Sequence, residues 1–257
     1  MTLKFGVIAL ARTTFDMEFA EEMKDQAFAA LDAAGIATVG PRTLACDTEQ
    51  AEASLGEIAA QGDIDLLLIV QITFTDASMT IEMARQSKVP VAIWGVPEPR
   101  IGGRLRLNAY CGINLAAHAM GKAGLTYRWL FSTPDAADIA DRLRGLAEAP
   151  PGPSVAAERV QQQYNTAADR VVEKLGQARV SVIGEHPAGF DTCEYDANEL
   201  HKLTGISVDQ VKLDDAFERA KAAPAARANA HRAESAKSLA GLDDVDQEQL
   251  DRSFRLL

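Results

Sequence analysis

The chain has 257 residues, 47% apolar and 25% charged, a composition that suits a globular protein of one large or two ordinary domains. Its formal net charge of -11 argues against a nucleic-acid backbone or an anionic membrane surface as the main partner, because both need a basic footprint. The three cysteines, Cys46, Cys111 and Cys193, are odd in number and lack metal-ligand spacing, which excludes a disulfide framework and a zinc motif and points to a reduced, cytoplasmic setting.

Phe5 to Leu10 is a short apolar run followed at once by Arg12 and Asp16, so the N-terminus reads as a first strand rather than a signal peptide. Ile36 to Val39, Asp65 to Ile72, Val89 to Trp94 and Tyr127 to Phe131 are further strand candidates, and their continuous apolar character fits strands buried on both faces. Met17 to Ala34, Thr48 to Ala60, Ala77 to Ser87 and Gly112 to Lys122 lie between them as crossover helices. Thr133 before Pro134 predicts a capped fifth helix over Pro134 to Ala147. The pattern predicts an α/β domain over residues 1–150, a flavodoxin-like, doubly wound parallel sheet. No apolar stretch approaches the roughly 18 residues that a membrane-spanning helix requires.

Ala149-Pro-Pro-Gly-Pro153 stops helix and strand alike and marks a domain boundary. Residues 151–177 are expected to be a linker and connector helix, with an apolar stripe from Val155 to Leu175. Residues 178–257 begin a second α/β domain: a strand over Arg179 to Gly184, a helix over Asn198 to Leu203, a strand over Ile206 to Leu213, then more helix. Two strands cannot cover both faces of a parallel sheet, so this domain is expected to be partial and the chain a fragment of a longer protein. Asp244 with Gln247 resembles a capping box, and Leu250, Phe254 and Leu257 follow at helical spacing. The alternative is a complete chain whose last helix docks at a subunit interface.

In a sheet of order 2-1-3-4-5 the loops after strands 1, 3 and 4 converge at the switch point. Those loops are Ala11 to Asp16, Gln71 to Asp76 and the long Gly/Pro-punctuated stretch from Trp94 to Leu115. Thr13, Thr14, Thr73, Thr75 and Asn108 can donate and accept hydrogen bonds there, and helix N-termini favour oxygen atoms, which suits a small polyhydroxylated or anionic ligand. The bland reading is that these threonines, Asp16 and Asp76 are helix caps and that Phe15 and Phe74 plug the core. No Gly-x-Gly-x-x-Gly or phosphate-loop lysine motif follows the first strand. Arg100, Arg104 and Arg106 suit an anion or, more ordinarily, ion pairs. Cys111 and Cys193 each lie near a loop-to-helix junction, which leaves open a cofactor-free racemase using two thiols. His118, His186, His201 and His231 have no metal-ligand spacing.

Ala11-Arg-Thr-Thr-Phe-Asp16, Thr73-Phe74, Trp94-Gly-Val-Pro-Glu98, Leu107-Asn-Ala-Tyr-Cys-Gly112 with Asn114, and Gly189-Phe-Asp-Thr-Cys-Glu-Tyr-Asp196 together resemble the N-terminal part of bacterial L-fucose/L-arabinose isomerase-like proteins. The resemblance implies aldose–ketose interconversion, Mn²⁺ bound by residues in the later part of such chains, and a homo-oligomer, trimer or hexamer. It implies that the first domain contacts the sugar in a neighbouring subunit's active site, a role that falls on Arg12, Thr14, Thr73, Phe74, Asn108 and Cys111. Cys111 stands where arabinose isomerases have histidine. A non-catalytic sugar- or acid-binding module is the alternative from another class.

Overall fold

Lys4–Leu10 forms β1, and every residue of it after Lys4 is buried, as a strand covered on both faces requires. A computed structural model describes residues 2–99, 102–150 and 166–256. In it β1 is joined in parallel by β2 (Ala37–Val39), β3 (Leu44–Ala45) and β4 (Leu66–Gln71), and the sheet continues through β5 (Val91–Gly95) to β6 (Arg128–Phe131). The order is β2-β1-β4-β5-β6, with β3 beside β1. Without the two-residue β3, this is the flavodoxin-like order, and the switch point falls between β1 and β4.

Alternate residues of each strand feed two cores. Val7, Leu68 and Trp94 pack with Phe28 and Leu31 of α1 (Met17–Ala33) and Leu143 of α5 (Ile139–Gly145). Ile8, Ile69 and Ile93 face the other way, toward α2 (Thr48–Ala60), α3 (Ser78–Gln86) and α4 (Ala109–Lys122), where Ile58, Met83 and Met120 complete the layer. Helices on both faces of one parallel sheet make the unit doubly wound.

Three local expectations change. β3 was missed because two residues carry no period, yet it pairs Leu44 with Ala9 and Ala45 with Leu10 after the chain turns at Gly40, whose φ is 110°. α4 opens at Ala109, three residues earlier than the small-residue pattern suggests. Thr133 caps nothing: i to i+3 bonds from Ala136 to Thr133 and from Ile139 to Ala136 form tight turns, and α5 starts only at Ile139.

The described residues divide into two compact units. The first holds residues 2–150 and also Pro187–Glu194, which sequence order alone assigns to the second domain. Phe190 explains it: the ring joins a small apolar cluster with Ala77, Leu115, Ala119 and Phe74. The Pro-rich boundary extends into residues 151–165, outside the described residues, as does the front of the expected connector helix.

The second unit contains α6 (Thr166–Gly176), β7 (Arg179–Ile183), α7 (Ala197–Thr204), β8 (Ser207–Val211), α8 (Leu213–Ala222), α9 (Ala225–Ser235) and α10 (Gln247–Leu256). β7 and β8 pair in parallel from Arg179 with Ser207 to Ile183 with Val211. Asp196 caps α7 through the amides of Asn198 and Glu199, and Gly205 ends it in the left-handed conformation. α10 is capped by Asp246, whose side chain accepts from the Gln249 amide; Asp244, two residues earlier, is not the cap. Ile183 and Leu203 leave more than half of their surface exposed.

Candidate functional site

The loops at the C-terminal ends of β1, β4 and β5 are tied to one another by backbone bonds. Gln71, the last residue of β4, is fully buried and donates Nε2 to the Thr73 carbonyl at 2.7 Å and to Thr75 Oγ1 at 2.9 Å, curling the chain into a tight loop. Gly112 on α4 permits this, since a Cβ there would come within 2.9 Å of the Gln71 side chain. Thr73 Oγ1 accepts the Arg12 amide at 2.8 Å and donates to the Phe74 carbonyl at 3.0 Å, linking the β1 and β4 loops.

The β5 loop is stitched to both. Its Arg106 carbonyl accepts the Asp16 amide at 3.3 Å, and its Leu107 carbonyl accepts the Phe74 amide at 2.7 Å. The Arg106 guanidinium lies 2.9 Å from Asp16 Oδ2 and stacks over the Phe19 ring at 3.9 Å. Glu98 folds back on its own loop, its carboxylate accepting the amides of Arg106 at 2.7 Å, Leu107 at 3.2 Å and Asn108 at 2.9 Å. Asn108 then takes φ 56° and ψ 36° and is, among the described residues, the one non-glycine with positive φ. Its side chain makes no capping bond to α4.

Beside this turn lies a cavity of about 800 Å³. Its wall includes Arg104, Asn108, Tyr110, Cys111 and Phe131. Of the six residues expected to touch a sugar, Asn108 and Cys111 line it. The other four cluster on the β1 and β4 loops, across the Arg106–Leu107 segment. Arg12 is half-buried, its guanidinium 4.0 Å from Asp76 Oδ2, and Thr14 is exposed. Phe74 is half-buried between Phe15 and Phe190, with ring centroids 6.2 and 5.6 Å away. Thr73 is fully buried with its hydroxyl engaged on both sides, so in this geometry it holds the wall rather than facing the opening.

The loop arginines separate. Arg106 is spent on Asp16 and Phe19, as the ordinary ion-pair reading expects, whereas Arg104 is exposed and has no hydrogen-bond or ion-pair partner among the described residues. Arg100 lies outside the described residues. Cys111 and Cys193 are both exposed and both belong to the first unit, not one to each α/β half; Cys193 is not among the residues lining the cavity. Sequence reasoning placed Glu98 in the loop motif but gave it no role; the available signal is a lone acid in a Gly/Pro loop shortly before a helix start.

Asp16 has its carboxyl held below the ordinary value of 3.8, first by the Phe19 amide and then by Arg106. A carboxyl depressed in the folded state contributes stability above its unfolded pKa and loses it as pH falls through the folded one. The Asp16–Arg106 tie is therefore expected to be intact at neutral pH and to loosen as acid is taken below 3.8. NMR titration of the Arg106 side chain checks this, and Asp16→Asn is expected to abolish the transition.

Among the described residues no three of His, Cys, Asp and Glu converge in a way that could hold a metal ion. The carboxylates nearest the cavity are already engaged, Glu98 by three amides and Asp16 by Phe19 and Arg106. The described residues do not fit a Mn²⁺ site. No helix among them is long and apolar enough to cross a membrane.

Three strand-end loops that interlock beside a cavity at the switch point of a doubly wound sheet occupy the place where α/β domains commonly bind ligands. Residues 6–149, more than half of the chain, match the family described as fucose/sulfoquinovose isomerase, N-terminal domain, and the chain belongs to that family. It is 30% identical over 223 residues to a sulfoquinovose isomerase of Alkalicoccus urumqiensis, which covers 86% of this chain and 45% of that protein. With a sulfoquinovose isomerase of Priestia megaterium the identity is 26% over 210 residues, 82% of this chain and 43% of the relative. A sulfoquinovose isomerase of Clostridium sp. is 23% identical over 245 residues, 95% of this chain and 50% of the relative. The chain thus spans about half the length of the curated relatives it matches.

Proposed function

We propose that this chain is the sugar-contacting, oligomer-forming N-terminal portion of a cytoplasmic aldose–ketose isomerase, trimeric or hexameric, acting on sulfoquinovose or a similar sugar. The observation that carries the reading is the set of three interlocked loops at the switch point of a domain that belongs to the fucose/sulfoquinovose isomerase family. Isomerisation moves a proton between adjacent carbons of the sugar through an enediol, and the substrate hydroxyls must be held while it moves. The Asn108 carboxamide donates and accepts, the Arg12 guanidinium and Thr14 hydroxyl add polar contacts, Phe74 offers an apolar face, and Cys111 borders the cavity. Thr73 fixes the two loops that carry Arg12 and Phe74.

Sulfoquinovose is a sulfonated sugar, and Arg104 in the cavity wall is a cation without a partner among the described residues. It suits the sulfonate as a charge-assisted donor. The Mn²⁺ implied by the family resemblance belongs, in this reading, to residues outside the chain.

The test is an assay of the 257-residue chain alone with Mn²⁺ and a panel of aldoses that includes sulfoquinovose. Sugar binding without turnover is expected. Metal-dependent turnover would show that the catalytic ligands lie within this chain and overturn that part of the reading. Tight sugar binding by a monomer, with no isomerase activity in the complete gene product, would favour a non-catalytic binding module.

A further inference from the structure

An asparagine that precedes a helix ordinarily adopts an extended backbone and turns its side-chain oxygen onto an amide of the first turn. Asn108 does neither. It sits in the left-handed region at φ 56° and ψ 36°, and its carboxamide makes no bond to the helix it precedes. Left-handed backbone is strained for a residue with a Cβ, so something must hold it. The amides of Arg106, Leu107 and Asn108 form a concave row, and the Glu98 carboxylate fills it with three hydrogen bonds.

Two consequences follow for the cavity. The Asn108 carboxamide has no hydrogen-bond partner among the described residues and stands in the cavity wall. The backbone amides of Ala109, Tyr110 and Cys111, the opening turn of α4, likewise have none among the described residues, and all three residues line the same cavity. The first amides of any helix lack intrahelical partners, and oxygen-rich ligands satisfy them at helix starts.

We infer that Glu98 is a positioning residue: by gripping the amides of Arg106, Leu107 and Asn108 it keeps Asn108 left-handed and its carboxamide free for a sugar hydroxyl. The inference rests on the sugar-isomerase reading for the ligand and on the local geometry for the mechanism. Glu98 also borders the cavity. Its carboxylate is consumed by the loop, and its effect reaches the ligand through Asn108.

The experiment is a double-mutant cycle on the complete gene product, read as KM and kcat for its aldose substrate. Asn108→Gly is expected to raise KM about tenfold, the weight of one hydrogen bond, with kcat little changed. Its thermal stability is expected to hold or rise, because glycine adopts this φ without strain. Glu98→Ala is expected to raise KM by a similar factor, and Glu98→Gln, which keeps one acceptor oxygen, to recover part of it. In the double variant Glu98→Ala/Asn108→Gly, KM is expected to be no worse than in Asn108→Gly alone. Multiplying effects, about a hundredfold in the double variant, would show that Glu98 acts independently of Asn108 and overturn the inference. So would an unchanged KM in folded Asn108→Gly or in Glu98→Ala. If the unsubstituted protein neither binds nor converts any aldose, the sugar reading itself falls, and the role given to the Asn108 carboxamide falls with it.

Discussion

Replacing Trp94 by alanine is expected to cost about 3–5 kcal/mol of unfolding free energy, the range for emptying a fully enclosed aromatic site. Trp94 has no exposed surface, packs in the core between β5, α1 and α5, and donates its indole Nε1–H to the Ser132 carbonyl at 2.9 Å. The substitution therefore removes the packing and leaves a buried carbonyl short of its donor. Urea unfolding followed by circular dichroism gives the number. Trp129 supplies the contrast, since it sits on the edge strand β6 and is 58% exposed. Trp129→Ala is expected to stay within about 0.5 kcal/mol of the parent. Equal losses from the two tryptophans would contradict the core assignment.

The second large effect is expected from a single methyl group. An alanine at Gly112 would place its Cβ 2.9 Å from Gln71 Cγ and 3.1 Å from both Cδ and Nε2. Gln71 cannot step aside cheaply, because it is fully buried and both of its Nε2 bonds hold the loop that follows β4. Overpacking of this kind costs about 1–3 kcal/mol, more than the roughly 1 kcal/mol that alanine gains over glycine inside a helix. Net destabilisation is expected, with changed amide shifts at Thr73 and Thr75 as the local signature. Gly56 in α2 is the control: nothing lies within 4 Å of a Cβ there. Gly56→Ala is expected to raise the thermal midpoint, and a fall of the kind expected for Gly112→Ala would remove the steric argument.

The strands were legible where burial on both faces writes continuous apolar runs, as in Leu66 to Val70. The βα alternation pointed to a parallel sheet but did not fix the strand order; the flavodoxin-like order supposed for it is the one that the five principal strands adopt. β3 escaped because its two residues owe their pairing to a turn at Gly40 rather than to any pattern of their own. The loops could be placed at the switch point from sequence, but not the roles within them. Thr73 was chosen for a hydroxyl that the fold then uses to join two loops. Arg106 meets an acid 90 residues away, a pairing no local window contains. Glu98 draws its meaning from a left-handed backbone at Asn108, and asparagine only permits that conformation without announcing it.

The return of Pro187–Glu194 to the first unit bears on the order in which that unit can be finished. When residues 1–150 have left the ribosome, every strand of the first sheet is already present. The Phe74 ring still lacks Phe190, the Ala77 amide still lacks the Gly189 carbonyl, and Lys122 still lacks Glu194. Synthesis is slow relative to helix formation and hairpin closure, so the nascent domain waits with its β4 loop half-covered. The loop that carries Phe74 is therefore the last part of the sheet's mouth to settle, and it does so only once a distant stretch of chain has been made.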